Sequence, residues 1–484
     1  MARQLIGEFG DPKLLAVLCR RAKKRCWPLW FKVLVRSVQS LSVLILYCVL
    51  CSLPLFVGKP TVKVDYAQWL SERWRPSQKG VENAKQYYDQ AAKLYVKPPA
   101  ALETRRELPG WTIRDCNEAD FQSLTDWLAE NKPALDLVRK GAATAHYWPV
   151  YDVNEEQKAP FLWMAVNVVP EAMKTISGYE SIAHAMRDWV ARQVRVGAVD
   201  EAIGDALVIL RFARHLEGKG LLLDQLVARR IGELGRDAVY GLLRKPDISN
   251  EILQRVQSGL DSLFAGDRTL ISLDGEKASF YDDIQRTFTD DGHGGGRALR
   301  YGFFFAAGDW RGNLARMLLF DYPDRREAMT MVDAYFEQVQ AALGKPLGEA
   351  GFFPGEGAAI QMQKLGLLIS TVSPAYEGLS QLVWQSRTEE AALVATVAIH
   401  RCKAERGTYP DRLEDLVAAG LLASVPDDPF GKGPLTYART ADGFTLHSWG
   451  KNRADDGVRR GTSTNGEPKM WADKGDTVFW PVGP

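Results

Sequence analysis

The sequence predicts a mainly α protein: one N-terminal transmembrane helix, an ectodomain of helical hairpins, and a small C-terminal α+β module. Three observations carry that expectation. An uncharged run, Ser37–Val57, follows a basic N-terminal block. Amphipathic helical patterns separated by Gly- or Pro-marked turns occupy most of the stretch from Asp65 to Leu343. Strand-like alternation shows up after Leu435. A chain of 484 residues is too long for one hydrophobic core. The expected division is a basic cytoplasmic segment (1–36), the span (37–57), the helical ectodomain (58–345), a Gly/Pro-rich linker with the start of a helix (346–374), and the C-terminal module (375–484). The net charge of +1 lacks the basic excess of a nucleic-acid surface, so no nucleic-acid partner is expected.

The anchor comes first. Between Met1 and Arg36, nine Lys/Arg stand against Glu8 and Asp11. The 21 uncharged residues that follow would rise roughly 30 Å as a helix, the thickness of a bilayer's hydrocarbon core. The basic flank should stay in the cytoplasm, making this a single-pass inner-membrane protein with its bulk exported. A cleaved signal peptide fits less well, because the basic segment is too long and no small-x-small site precedes Gly58. Of the six cysteines, Cys19 and Cys26 would be cytoplasmic, Cys48 and Cys51 would lie in the span, and Cys116 and Cys402 would be exported. An oxidising compartment would permit a disulfide between the last two.

The exported helices follow in order. Asp65 to about Val96 has apolar residues at helical spacing, and Pro98–Trp111 is a linker. Asn117 is placed to cap a helix or helix pair, with Glu118 and Asp120 at its positive end. Pro160 to Phe264 holds the clearest array, helices of 15 to 22 residues with turns at Gly197 and Gly218–Gly220. No fixed period recurs, so this is not a true repeat array. Thr289–Gly302 interrupts it as a solvated Asp/Gly loop without EF-hand ligand spacing. Further helices are expected over Asn313–Phe320 and Arg326–Leu343.

Motifs for catalysis are missing from the sequence: it holds no nucleophile elbow, phosphate-cradling loop or zinc-protease helix. The six histidines, His146, His184, His215, His293, His400 and His447, are scattered. His215, near a helix C-terminus, reads as a dipole-compensating charge or an N–H donor. Adjacent carboxylates at Asp282-Asp283 and Asp290-Asp291 point apart on a helix or solvate in a loop. No catalytic residue is therefore assigned. An enzyme would need a site assembled from distant residues around Asp282, Asp283, Asp290 or His293. A binding module would use an aromatic groove of Trp148, Phe161, Trp163 and Trp189.

The C-terminus has its own build. Glu389–Arg406 is an amphipathic helix stopped by Gly407, and Arg412–Ala419 a short second helix before Gly420. Pro426–Gly433 makes a double turn into two strands joined at Asp442-Gly443. The spaced set Gly407-x-Tyr409-Pro410, Leu413-x-x-Leu416-Val417, Val425-Pro426-x-Asp428-Pro429-Phe430-Gly431, Leu435-x-Tyr437 and Leu446-x-Ser448-x-Gly450, with Asp476, resembles the C-terminal domain of the major pseudopilin of bacterial type II secretion systems. The resemblance spans about residues 389–478 and implies a calcium ion in the loop after the hairpin. Carried over by position, its oxygen ligands would be the Leu446 carbonyl, Ser448, Asn452, Asp455 or Asp456, and Asp476. Asn452 departs from the family's usual Asp, and Val458–Gly475 lengthens the loop. A prepilin-peptidase site before the span is also missing, so the chain should not enter a pseudopilus as a pilin does. The whole layout is similar to bacterial membrane-anchored helical proteins with such a tail, a likeness that implies no activity. The expected role is a non-catalytic structural or interaction protein of the bacterial envelope, with protein partners in secretion or assembly. The alternatives are a helical binding module for an exported peptide or polymer, and an enzyme.

Overall fold

The computed structural model describes residues 37, 38, 40, 42, 43, 58–106, 113–151, 168–245, 248–299, 323–345, 347, 378–464, 466 and 468–482. The basic segment 1–36, the helix expected over Asn313–Phe320, the linker 346–374 (apart from Leu347) and all but five positions of the expected span 37–57 lie outside them. Among the described residues no helix is long and apolar enough to cross a membrane.

Thirteen helices and one three-stranded sheet make up the described chain, so the protein is mainly helical. The first five helices are α1 (Tyr66–Arg73), α2 (Lys85–Leu94), α3 (Ala100–Arg106), α4 (Glu118–Glu130) and α5 (Lys132–Ala143). The Asp65–Val96 stretch thus divides in two, broken where Pro76 and Gly80 interrupt the pattern. Asp65 caps α1 by accepting from Gln68 N at 3.0 Å, and Asn117 caps α4 by accepting from Asp120 N at 2.8 Å.

The centre is built from α6 (Val169–Arg195), α7 (Val199–Leu216) and α8 (Leu222–Leu243), all three packed on one another. α7 carries apolar residues around nearly its whole circumference, from Ala202 and Ile203 to Phe212 and Leu216, and every one of these is buried. A helix of that composition needs neighbours on all sides, and α5, α6, α8 and α9 (Asn250–Phe264) supply them. The turn from α6 to α7 passes through Gly197 at φ +85°, a conformation that costs other residues strain.

α10 (Asp274–Thr287) and α11 (Arg325–Leu343) pair beside this array, and α12 (Leu379–Arg406) runs past both parts. It starts ten residues earlier than the Glu389 expected from amphipathicity, because Leu379 and Val383 belong to a separate core with α10 and α11. Its C-terminal half, from Ala392 to Cys402, shares the main core with α6–α9. α13 (Glu414–Ala418) and the antiparallel strands β1 (Thr436–Arg439), β2 (Phe444–Ser448) and β3 (Thr477–Trp480) close the fold. β3 is the element the sequence reading lacked: four residues after a Gly/Lys/Asp loop give too short an alternation to register. Phe430, Phe444, Leu446 and Phe479 sit in the same core as Tyr88 and Phe212, so the C-terminal module and the helical array share one interior.

Two open readings are narrowed. Of the two roles read for His215 the hydrogen-bonding one fits: its ring bonds the Thr144 backbone, its Nδ1 lies 2.8 Å from the Tyr88 hydroxyl, and burial, helped by Lys219, pushes it down to about 4. Cys116 and Cys402 are both free thiols, Cys402 buried within α12 and Cys116 held by Arg195 at 3.1 Å.

His400 on α12 is likewise pushed down to about 4 by burial, edge-on to Tyr409, Phe444 and Trp480. A histidine whose folded value lies below its ordinary 6.5 binds fewer protons folded than unfolded. Its contribution is full above pH 6.5 and is lost as the pH falls toward 4. Glu276, pushed up to about 8 by burial, acts in the opposite direction over part of the same window. The clean measurement is therefore the stability difference between wild type and His400→Gln. It should shrink by about 3 kcal/mol between pH 7 and pH 4; an unchanged difference would show His400 to be ordinary in both states.

Candidate functional site

The structure disperses several residues singled out from sequence. Trp148 is buried, and Trp189 packs against the core under Arg139 and Arg192. Phe161 and Trp163 lie outside the described residues. Asp282 is fully buried and satisfied by Gln285 and Arg286 at 2.8 and 2.7 Å. Asp290 pairs with Lys63 and Arg325 at 2.6 and 2.5 Å, which holds it down to about 2. Asp291 accepts from His293 N and Gly295 N within its own turn. Asp290 and Asp291 thus brace their loop, while Asp282 is tied within its own helix.

A cleft of about 1860 Å³ lies where α6 and α8 meet the C-terminal module. Its floor contains an ion-pair network. Glu389 on α12 pairs with Arg236 of α8, meets Arg229 at 3.4 Å, and accepts from Trp471 Nε1 at 2.6 Å. Arg236 and Glu389 are both at least nine-tenths buried, so neither charge is tolerable there without the other.

The walls are strongly cationic: twelve Lys/Arg line the cleft against six Asp/Glu. At its edge Arg244 is lowered by burial and then by the charge of Arg114, and Arg460 by burial and then by Arg244. Like charges held this close are a standing attraction for an anion. Apolar surface from Tyr95, Val190, Val194 and Met470 separates the charges. Sequence reasoning missed this site because its cations come from segments more than 300 residues apart and total charge is almost balanced.

At the base of the C-terminal loop, the expected calcium ligands separate into two groups. Ser448 Oγ donates to buried Asp428 at 2.8 Å, and Asn452 Nδ2 donates to Asp456 Oδ2 at 2.7 Å. Leu446 pairs in the sheet with Tyr437 and Trp480. Asp455 and Asp476 do converge, and the third group with them is His447, its ligand atom within 4.8 Å of theirs. Alternation along β2 would turn His447 away from the side of Leu446. His447 is buried all the same, so Leu446, His447 and Ser448 are buried in succession; the register shift against β3 leaves Phe479 as the extra residue on that strand. Burial on both faces of β2 has no signature in the sequence. An imidazole beside two carboxylates is not the all-oxygen cage that calcium takes.

Comparison with protein-family profiles, curated proteins and solved structures finds no match to this chain.

Proposed function

We propose that this is a membrane-anchored interaction protein of the bacterial envelope whose cleft between α6, α8 and the C-terminal module holds an acidic, extended polypeptide segment of a partner, in secretion or assembly. The observation that carries the reading is the concentration of cationic side chains in one large cleft of a chain with net charge +1. At about 1860 Å³ the cleft exceeds the roughly 300–1,000 Å³ of small-molecule sites, which favours a chain-like ligand. Its mixture of apolar wall and six carboxylates suits a polypeptide better than a uniformly anionic polymer. The uncharged 37–57 segment supports the anchor.

The test is binding of fluorescent poly-glutamate and poly-lysine peptides to the full-length protein in detergent. Lys245→Glu with Lys469→Glu reverses two cleft charges without entering the buried network. Wild type should prefer poly-glutamate, with affinity falling as salt rises, and the double variant should lose tenfold or more. Equal binding of both peptides, or no loss in the variant, would overturn the reading. A crosslinker at Met470, 45% exposed on the cleft wall, then identifies the natural partner in cells.

A further inference from the structure

We propose that His447, Asp455 and Asp476 bind a divalent first-row transition ion, zinc foremost, which clamps both ends of the Trp449–Gly475 loop to strand β2. His447 Nε2 lies 3.6 Å from Asp455 Oδ1 and 3.9 Å from Asp476 Oδ2, and the three ligand atoms fall within 4.8 Å of one another. Zinc bonds of about 2.0–2.2 Å at tetrahedral angles place ligand atoms about 3.4 Å apart. The two imidazole–carboxylate separations therefore need to contract by only a few tenths of an ångström, and the remaining pair, within 4.8 Å, closes by rotation of the exposed Asp455 side chain.

The histidine supplies an independent observation. Its side chain is 3% exposed, and neither ring nitrogen has a hydrogen-bond partner. A sealed, unpartnered imidazole is unfavourable, and a metal on Nε2 gives that nitrogen its partner. Asp476, fully buried, is already aimed: Oδ1 accepts from Asp456 N at 3.0 Å and Oδ2 from Val458 N at 2.7 Å. Backbone donors of this kind orient a ligating carboxylate while leaving lone pairs for the ion. Asp455, 44% exposed, gives the ion its way in and leaves room for water as a further ligand.

The donor set chooses the metal. Imidazole with carboxylate suits zinc and its neighbours, whereas calcium takes six to eight oxygens at about 2.3–2.6 Å. Further oxygens from the expected set are engaged elsewhere: Ser448 Oγ bonds Asp428, and Asn452 and Asp456 bond each other. A contact between His447 and the two aspartates that needs no ion is the alternative, and it predicts no response to any ion.

The experiment is thermal unfolding of the full-length protein in detergent, stripped with chelator, then given zinc alone or calcium alone at equal free concentration. Zinc at a hundredfold excess over its dissociation constant should raise the midpoint by about 3 °C, because an ion that binds the native state stabilises it. Calcium should do much less. Asp455→Asn, at an exposed position that leaves the core intact, and His447→Gln should each abolish the zinc shift. Cobalt should give visible absorption bands in wild type that vanish in His447→Gln. Absence of a zinc shift in wild type, its persistence in either variant, or an equal calcium shift that survives His447→Gln would overturn the assignment.

Discussion

Replacing Glu389 with Ala should destabilise the protein by about 3–5 kcal/mol, because it leaves a buried cation without its partner. Arg236 lies 5% exposed in α8, and its charge is opposed by burial and restored chiefly by Glu389, then by Glu390. The same carboxylate accepts from Trp471 Nε1 at 2.6 Å, so its loss also frees a buried donor in the C-terminal loop. The diagnostic comparison is the double variant Arg236→Met with Glu389→Met. Removing both charges together should recover most of the loss, since a buried ion pair and an apolar pair of similar volume are close in stability. Urea unfolding of the two variants measures this directly. If the double variant is as unstable as Glu389→Ala, the unpaired charge is not the cause, and shape at the α8–α12 contact is.

The second large effect is expected at Tyr88. Its ring is fully buried in α2, with the Phe212 centroid 4.0 Å away and Tyr179 edge-on at 5.9 Å. Gly141 of α5 has no room for a side chain, because a Cβ there would lie 2.5 Å from Tyr88 Cε1. Tyr88→Ala should therefore cost about 3–5 kcal/mol, the usual range for emptying a large aromatic site that cannot collapse. Tyr88→Phe keeps the ring and loses only the hydroxyl bonded to His215 Nδ1, so about 1–2 kcal/mol is expected. Unfolding midpoints in urea for the two variants separate ring from hydroxyl. A Tyr88→Ala loss no greater than that of Tyr88→Phe would remove the ring from its central role.

Much of the helical part was legible because local signals coincide there. Asn117, Gly197 and the apolar faces of α6–α9 each mark the same boundaries by capping, backbone conformation and burial. The hairpin after Leu435 was legible for the same reason. Long-range pairing was not. The early start of α12 reflects a second core contributed by α10 and α11, which no local pattern records. The site was readable only in part: Asp455 and Asp476 came from the family resemblance, while His447 meets them only through the pairing of β2 with β3, which no local pattern records. The cationic cleft left no trace in the sequence, since composition reports a total and not where charges gather.

The position of α12 also has a consequence for biogenesis. This helix completes both the core of α6–α9 and that of α10 and α11, yet it is made after about four-fifths of the chain. Until it emerges, the faces of α8 and α9 that it covers stand open, with Arg236 still awaiting Glu389. A nascent chain in that state exposes adhesive apolar surface for the length of its synthesis. It is the stage at which a chaperone would find the most to hold. Once α12 docks, the two cores close together, and this one helix acts as the latch of both.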